Sequence, residues 1–286
     1  MRRLPPPTLN EAEVLDACIN DSATPQLAGS YAASRAAILG CATQYSEQAA
    51  QFTLHSLPGC NRGHDDQVIV NDLTKGDLNR LYSKGMLNGV SARTYYDQIL
   101  ASAPLGKCPY CRFGHAETLD HFLPKSRYPA YAVLPRNLVP ACSRCNTGKG
   151  SGLLTAEKEI SHPYFESEQI ELDTWLVAQV VPTNPVTATF SVIPPANWSA
   201  DLSRRVRNYF IELDLASGYS VEAASELVSV SAYLRVLPSA DSRRQHLQRV
   251  AAQERGIAKN GWKAALYVAL ADSAWYSDVG YTSTGT

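Results

Sequence analysis

The 286-residue chain has no apolar run approaching the ~18 residues that a membrane-spanning helix requires. Its start, Met1-Arg-Arg-Leu-Pro-Pro-Pro7, lacks the apolar stretch of a secretory signal, so the expectation is a cytosolic protein with no membrane partner. Internal repeats are absent, and no low-complexity tract extends beyond Pro5-Pro6-Pro7. Neither sign of charge dominates: 26 Lys and Arg face 27 Asp and Glu, for a formal net charge of -1. A disulfide framework is also disfavoured, because the seven cysteines are odd in number and cytosolic thiols stay reduced. What remains is an ordinary globular composition, 45% hydrophobic and 19% charged, able to build a real core.

Charge and cysteine are both concentrated near the middle. Between Gly106 and Gly150 lie seven basic and two acidic residues, which leaves +5 there and -6 elsewhere. A basic island in an acidic chain is what a phosphate-facing surface leaves behind, and Lys125, Arg127, Arg144 and Lys149 are the candidate nucleic-acid contacts. A solvated loop would carry similar charges, so clustering is the only weight behind this reading. Cys108, Cys111, Cys142 and Cys145 form two C-x-x-C pairs in the same segment, whereas Cys18, Cys41 and Cys60 stand alone and read as small buried hydrophobes.

Around this segment the periodicity is mostly helical. An apolar stripe through Val14, Leu15, Cys18 and Ile19 predicts a first helix opened by Thr8-Leu9-Asn10-Glu11. Leu27, Tyr31, Ser34, Ile38, Tyr45, Ala49 and Phe52 predict a longer one. Shorter helices are expected over 75–84 and 91–103. Alternation in Val186-Ala188-Phe190-Val192 predicts a strand pairing with 176–181. Helical spacing returns with Leu202, Val206, Tyr209, Phe210 and Leu213, then Leu227, Val230, Leu234 and Leu237, and again through Trp262, Leu266, Ala269 and Leu270. The expected fold class is α+β, a mainly α-helical body with an embedded β-β-α metal module. The expected division is 1–104 helical, 105–152 metal module, and 153–286 mixed then helical.

Four thiolates in two such knuckles can close a tetrahedron around Zn²⁺, and a closed four-sulfur site leaves no position for water, so that zinc would be structural. A passive zinc ribbon would satisfy the cysteines equally well. What separates the readings is the adjacent pair Asp120-His121 in a strand-like context, then Asn137 opening Asn-Leu-Val-Pro140, then Asn146 directly after the last cysteine. In this order the motif resembles the HNH endonuclease family, whose module is a treble-clef-like β-β-α metal finger.

The resemblance implies a metal-dependent endonuclease acting on nucleic acid, most naturally DNA, and leaving a 5′-phosphate and a 3′-hydroxyl. It implies His121 as general base, Asp120 and Asn146 as ligands of a catalytic divalent metal such as Mg²⁺, and Asn137 as the positioning residue. Asn146 stands where the family name expects a second histidine, and an amide oxygen suits a hard cation. Cys108, Cys111, Cys142 and Cys145 correspond to the structural zinc ligands of a cysteine-bearing subgroup. HNH proteins with long helical flanks also resemble the nucleases found beside ATPases in Septu-type antiphage defence. Any ATP dependence then needs a separate ATPase subunit, since the chain carries no G-x-x-x-x-G-K-[ST] motif. The competing reading is a zinc finger without catalysis, binding nucleic acid or stabilising an interaction protein. In it, His121 would be structural and Asn146 only a helix cap.

Overall fold

The computed structural model describes residues 1–283 and divides them into two compact units, Arg2–Glu166 and a second beginning at Ser167. The boundary thus follows the His162-Pro-Tyr-Phe165 segment, and the metal module shares one unit with the N-terminal helices.

In the first unit, α1 (Glu11–Ser22) starts at Asn10, whose side-chain oxygen accepts from the Ala12 and Glu13 amides at 3.0 and 3.4 Å. The long α2 (Ala28–Ala50) buries Tyr31, Ser34, Ile38, Tyr45 and Ala49 of the expected stripe, but it ends before Phe52, whose φ of 57° turns the chain out of the helix. A small hairpin, β1 (Val68–Val70) with β2 (Leu73–Thr74), was not legible in the periodicity. It leads into α3 (Lys75–Arg80), held by a capping box between Thr74 and Asp77. The chain continues through a π-helical turn, Leu81–Met86, and then α4 (Arg93–Ala101).

The metal module follows. Strands β3 (Thr118–His121) and β4 (Leu138–Ala141) are antiparallel, with Asp120 opposite Val139 and His121 opposite Leu138. Helix α5 (Ser143–Gly148) closes the β-β-α order. Leu119 and Leu138 are fully buried in one apolar cluster with Val14, Ile38, Leu78 and Ile99. Each such side chain contributes ~1.5–3 kcal/mol on burial, so the module is fixed by a shared core as well as by its cysteines.

The second unit begins with α6 (Gln169–Leu172) and the hairpin of β5 (Leu176–Val181) with β6 (Thr187–Val192). Ala188 and Phe190 are buried while Thr187, Thr189 and Ser191 are exposed, which is the alternation of a one-sided sheet. Helices α7 (Ala200–Glu212), α8 (Leu215–Leu234), α9 (Ala240–Ile257), α10 (Trp262–Asp272) and α11 (Ala274–Asp278) complete it. Among the described residues no helix is long and apolar enough to cross a membrane.

Candidate metal centre and active site

The sulfurs of Cys108, Cys111, Cys142 and Cys145 lie within 4.8 Å of one another, and all four residues are buried. Cys111 and Cys142 are 3.7 Å apart, far beyond the ~2.05 Å of a disulfide. A ZnS₄ tetrahedron with Zn–S ~2.3 Å has its sulfurs ~3.8 Å apart, so the cluster has the size that zinc needs. Hydrogen bonds from the other three sulfurs pull the Cys142 thiol far down, while the same neighbours and burial push Cys145 up. Four crowded sulfurs without a cation cannot share ionisation evenly, which is the electrostatic reason such a cluster takes a metal.

Local backbone makes the first knuckle. Arg112 adopts φ 68°, turning the chain so that the Gly114 amide donates to Cys111 Sγ at 3.3 Å. A Cβ on Gly114 would lie 2.8 Å from both Cβ and Sγ of Cys142, so this close approach requires glycine. The second knuckle is the start of α5, where the Asn146 amide reaches Cys142 O and the Lys149 amide reaches Cys145 O.

Both knuckles deliver a group to Asp120. Tyr110, between the first two cysteines, donates its hydroxyl to Asp120 Oδ2 at 2.8 Å. Lys149, just after α5, places Nζ 2.5 Å from the same oxygen and also donates to His121 O and Phe122 O at 2.6 and 3.0 Å. Its ammonium is thus turned inward, away from solvent. Lys125 and Arg144 lie near aromatic rings, at 5.8 Å from Tyr82 and Phe113 respectively. Arg127 donates weakly to Ser151 O and Cys60 O at 3.4 Å.

Alternation along β3 puts Thr118 and Asp120 on one face and His121 on the other. Asn146 joins the first face, its amide nitrogen donating to Thr118 Oγ1 at 2.9 Å. Among the described residues Asp120 Oδ1 and Asn146 Oδ1 accept no hydrogen bond, so that face carries two uncommitted oxygens. A carboxylate and an amide oxygen are a fitting donor set for a hard divalent cation.

His121 is held from two sides. Its Nε2 lies 2.9 Å from Ala132 O, so Nε2 carries the proton and Nδ1 keeps its lone pair. Its ring meets Tyr82 of the π-helical turn edge-on, with centroids 4.4 Å apart. Burial pulls the imidazole down to about 3, outweighing the Ala132 bond, with Lys125 and Lys149 adding to the effect.

Asn137 is fully buried and clamps the loop between the strands. Its oxygen accepts from the Leu123 amide at 2.7 Å, and its nitrogen donates to Leu123 O and Tyr131 O at 3.1 and 3.0 Å. The Tyr164 amide donates to His162 Nδ1 at 3.1 Å, which leaves Nε2–H to donate to Tyr45 Oη at 3.1 Å. Tyr45 in turn donates to Asn137 Oδ1 at 3.2 Å. His162 stacks on Phe122 at 3.9 Å, so this segment packs against the module. The sequence marked none of Tyr45, Tyr82 and Tyr110 as a site residue, Tyr45 being read only as part of the α2 stripe. Only Tyr110 had a signal, its place inside a C-x-x-C pair.

Comparison with known proteins agrees with this geometry. Residues 108–152 match the family model "HNH endonuclease". The chain is 29% identical to "Protein ea31" of Escherichia phage lambda over 96% of its own length and 98% of that protein's. A shorter stretch of 69 residues, 22% of the chain, is 39% identical to 27% of "Septu protein PtuB" from Bacillus thuringiensis. No solved structure matches the chain. Residues 108–152, with their four-cysteine cluster and β-β-α order, therefore form an HNH endonuclease domain.

Proposed function

We propose that the protein is a metal-dependent endonuclease that hydrolyses DNA phosphodiester bonds. The observation carrying this reading is the pairing of two uncommitted oxygens, on Asp120 and Asn146, with a neighbouring imidazole whose Nδ1 is free to accept a proton. A divalent cation such as Mg²⁺ on those oxygens would neutralise phosphate charge and assist the leaving oxygen as a Lewis acid. His121 is neutral at cellular pH and takes a proton from the attacking water at Nδ1, while Ala132 O holds its tautomer and Tyr82 its ring plane. Asn137 keeps the loop bearing Ala132 in place through Leu123 and Tyr131.

Lys125, Arg127 and Arg144 are the proposed phosphate contacts. Lys149 belongs instead to the support of Asp120, because its ammonium is spent on the carboxylate and two carbonyls. The cysteines hold a structural zinc. The likeness to a phage protein and to a Septu protein supports a phage or antiphage setting in the cytoplasm, with an ATPase subunit as the candidate partner.

Incubating the purified protein with supercoiled plasmid and Mg²⁺ tests the chemistry. The expected result is nicked and linear DNA with 5′-phosphate ends, lost in His121→Ala. Equal cleavage by both proteins overturns the role of His121. Salt-dependent DNA binding without cleavage, surviving Asp120→Ala, would favour a binding module.

A further inference from the structure

The hairpin of the second unit has two edges, and they are treated differently. In an antiparallel pair, alternate residues point both backbone polar groups at the partner strand and the others point them outward. The Ile193 amide bonds Trp175 O, which sets the phase: Val177, Gln179 and Val181 face β6, while Leu176, Ala178 and Val180 face away. By the same register, Ala188, Phe190 and Val192 face away on β6.

On the β6 edge the chain covers itself. Arg207 Nη1 donates to Val192 O at 3.3 Å and Ser220 Oγ to Ala188 O at 2.8 Å. On the β5 edge Asn260 Oδ1 takes the Leu176 amide at 3.1 Å, but among the described residues nothing caps the outward groups of Ala178 or Val180. Nor does β5, Leu-Val-Ala-Gln-Val-Val, carry the charge or proline that usually guards a free edge. A cavity of about 410 Å³ runs beside it, lined by Val177, Ala178, Gln179 and Val180 and by the small residues Ala265 and Ala269 of α10.

We propose that this edge pairs with β5 of a second copy of the chain, antiparallel about a two-fold axis at Gln179. In that register Ala178 of each copy faces Val180 of the other, so the two outward residues exchange both their hydrogen bonds. Four main-chain bonds form, and no outward group of either residue is left over. In the same register Leu176 falls opposite Pro182, which has no amide to give, so the ladder stops there and the Leu176 amide keeps its bond to Asn260.

The charges at the ends of the groove have the same symmetry. Arg255 and Lys259 mark the start of β5, through Arg255 Nη2 to Thr174 Oγ1 at 3.1 Å and Lys259 Nζ to Leu172 O. Helix α10 begins beside Asn260, which binds the Trp175 and Leu176 amides, and ends at Asp272 in the same cavity wall. Among the described residues none of Arg255, Lys259 and Asp272 forms an ion pair. Antiparallel pairing sets the basic end of each copy against the acidic end of the other. The even-numbered face, with Leu176, Ala178, Ala188 and Phe190, becomes continuous across the joint sheet.

Sedimentation equilibrium of the full-length chain across a concentration series tests this, with far-UV circular dichroism confirming that each variant is folded. Val180→Pro removes one outward amide while leaving the ladder to β6 intact, and Asp272→Arg sets like charges together. The expected result is a wild-type dimer, with each variant dissociating at least about tenfold more readily. Adding Arg255→Asp and Lys259→Asp to Asp272→Arg should restore the dimer. A wild-type chain that stays monomeric at about 100 μM overturns the proposal, as does a dimer indifferent to both variants.

Discussion

Tyr110 Oη donates to Asp120 Oδ2 across 2.8 Å, and this bond ties a cysteine knuckle to the carboxylate of the candidate active site. Tyr110 is fully buried and burial pushes its phenol well above its usual range, so it remains a donor at any working pH. Tyr110→Phe keeps the ring and deletes the bond. A hydrogen bond to a charged group is worth ~1.5–3 kcal/mol, so the melting temperature should fall measurably while zinc content by mass spectrometry stays at one per chain. The Mg²⁺ concentration for half-maximal cleavage should rise as Asp120 loses its anchor.

Lys149 gives a sharper expectation. Lys149→Met leaves Asp120 buried without its cation, a change that costs ~3–5 kcal/mol in comparable ion pairs. Mg²⁺ would then be the carboxylate's main source of compensation. Added Mg²⁺ should therefore raise the melting temperature of the variant more than that of the wild type. Equal shifts in both proteins would separate the metal from Asp120.

Gly114→Ala tests the cluster without touching a sulfur. The new Cβ would press on Cys142 at 2.8 Å, an overpacking that costs ~1–3 kcal/mol and opens the tetrahedron. The expected outcome is faster zinc loss to a chelator, read with a colorimetric zinc dye. Because Tyr110 and Lys149 both ride on the knuckles, zinc removal from the wild type should abolish cleavage even with Mg²⁺ in excess.

Acid sensitivity follows from two imidazoles, the half-buried His121 and the buried His162. His121 is pulled to about 3 and His162 well below its usual value, in both cases chiefly by burial. A histidine depressed in the folded state is protonated first in the unfolded chain, near pH 6.5. Its full contribution to stability is therefore present above that pH and is lost as the pH falls toward the folded value. Each histidine contributes a slope of up to ~1.4 kcal/mol per pH unit in that window. Melting temperatures between pH 7.5 and 5.5 should fall accordingly, and His162→Gln should flatten the slope.

Much of the first unit was legible because its signals are local. The cysteine spacing, Asp120-His121, Asn137 and Asn146 stand within one segment, and the stripe of α2 is regular enough to read directly. The tyrosines were not legible because their partners are distant: Tyr45 lies 92 residues from Asn137, and Tyr82 reaches His121 from a π-helical turn that no 3.6-residue period announces. Lys149 looked like one more basic residue in a basic island. Its capture by Asp120 depends on how α5 lies against β3, which spacing does not encode. Helix α9 escaped for another reason. It buries little apolar surface beyond Leu247 and Ala251, and Arg243 anchors it through backbone oxygens of Ser277 and Leu237.

The shared core and the Tyr45–Asn137 bond bear on portability. A graft of 105–152 into another scaffold would carry the four cysteines and the His121 loop, but not Tyr45, Tyr82 or His162. Asn137 would lose its hydroxyl partner, Leu119 and Leu138 would face water, and the imidazole would lose the ring that sets its plane. The natural cassette for exchange between proteins is therefore the whole of Arg2–Glu166, nearly four times the length of the recognisable motif.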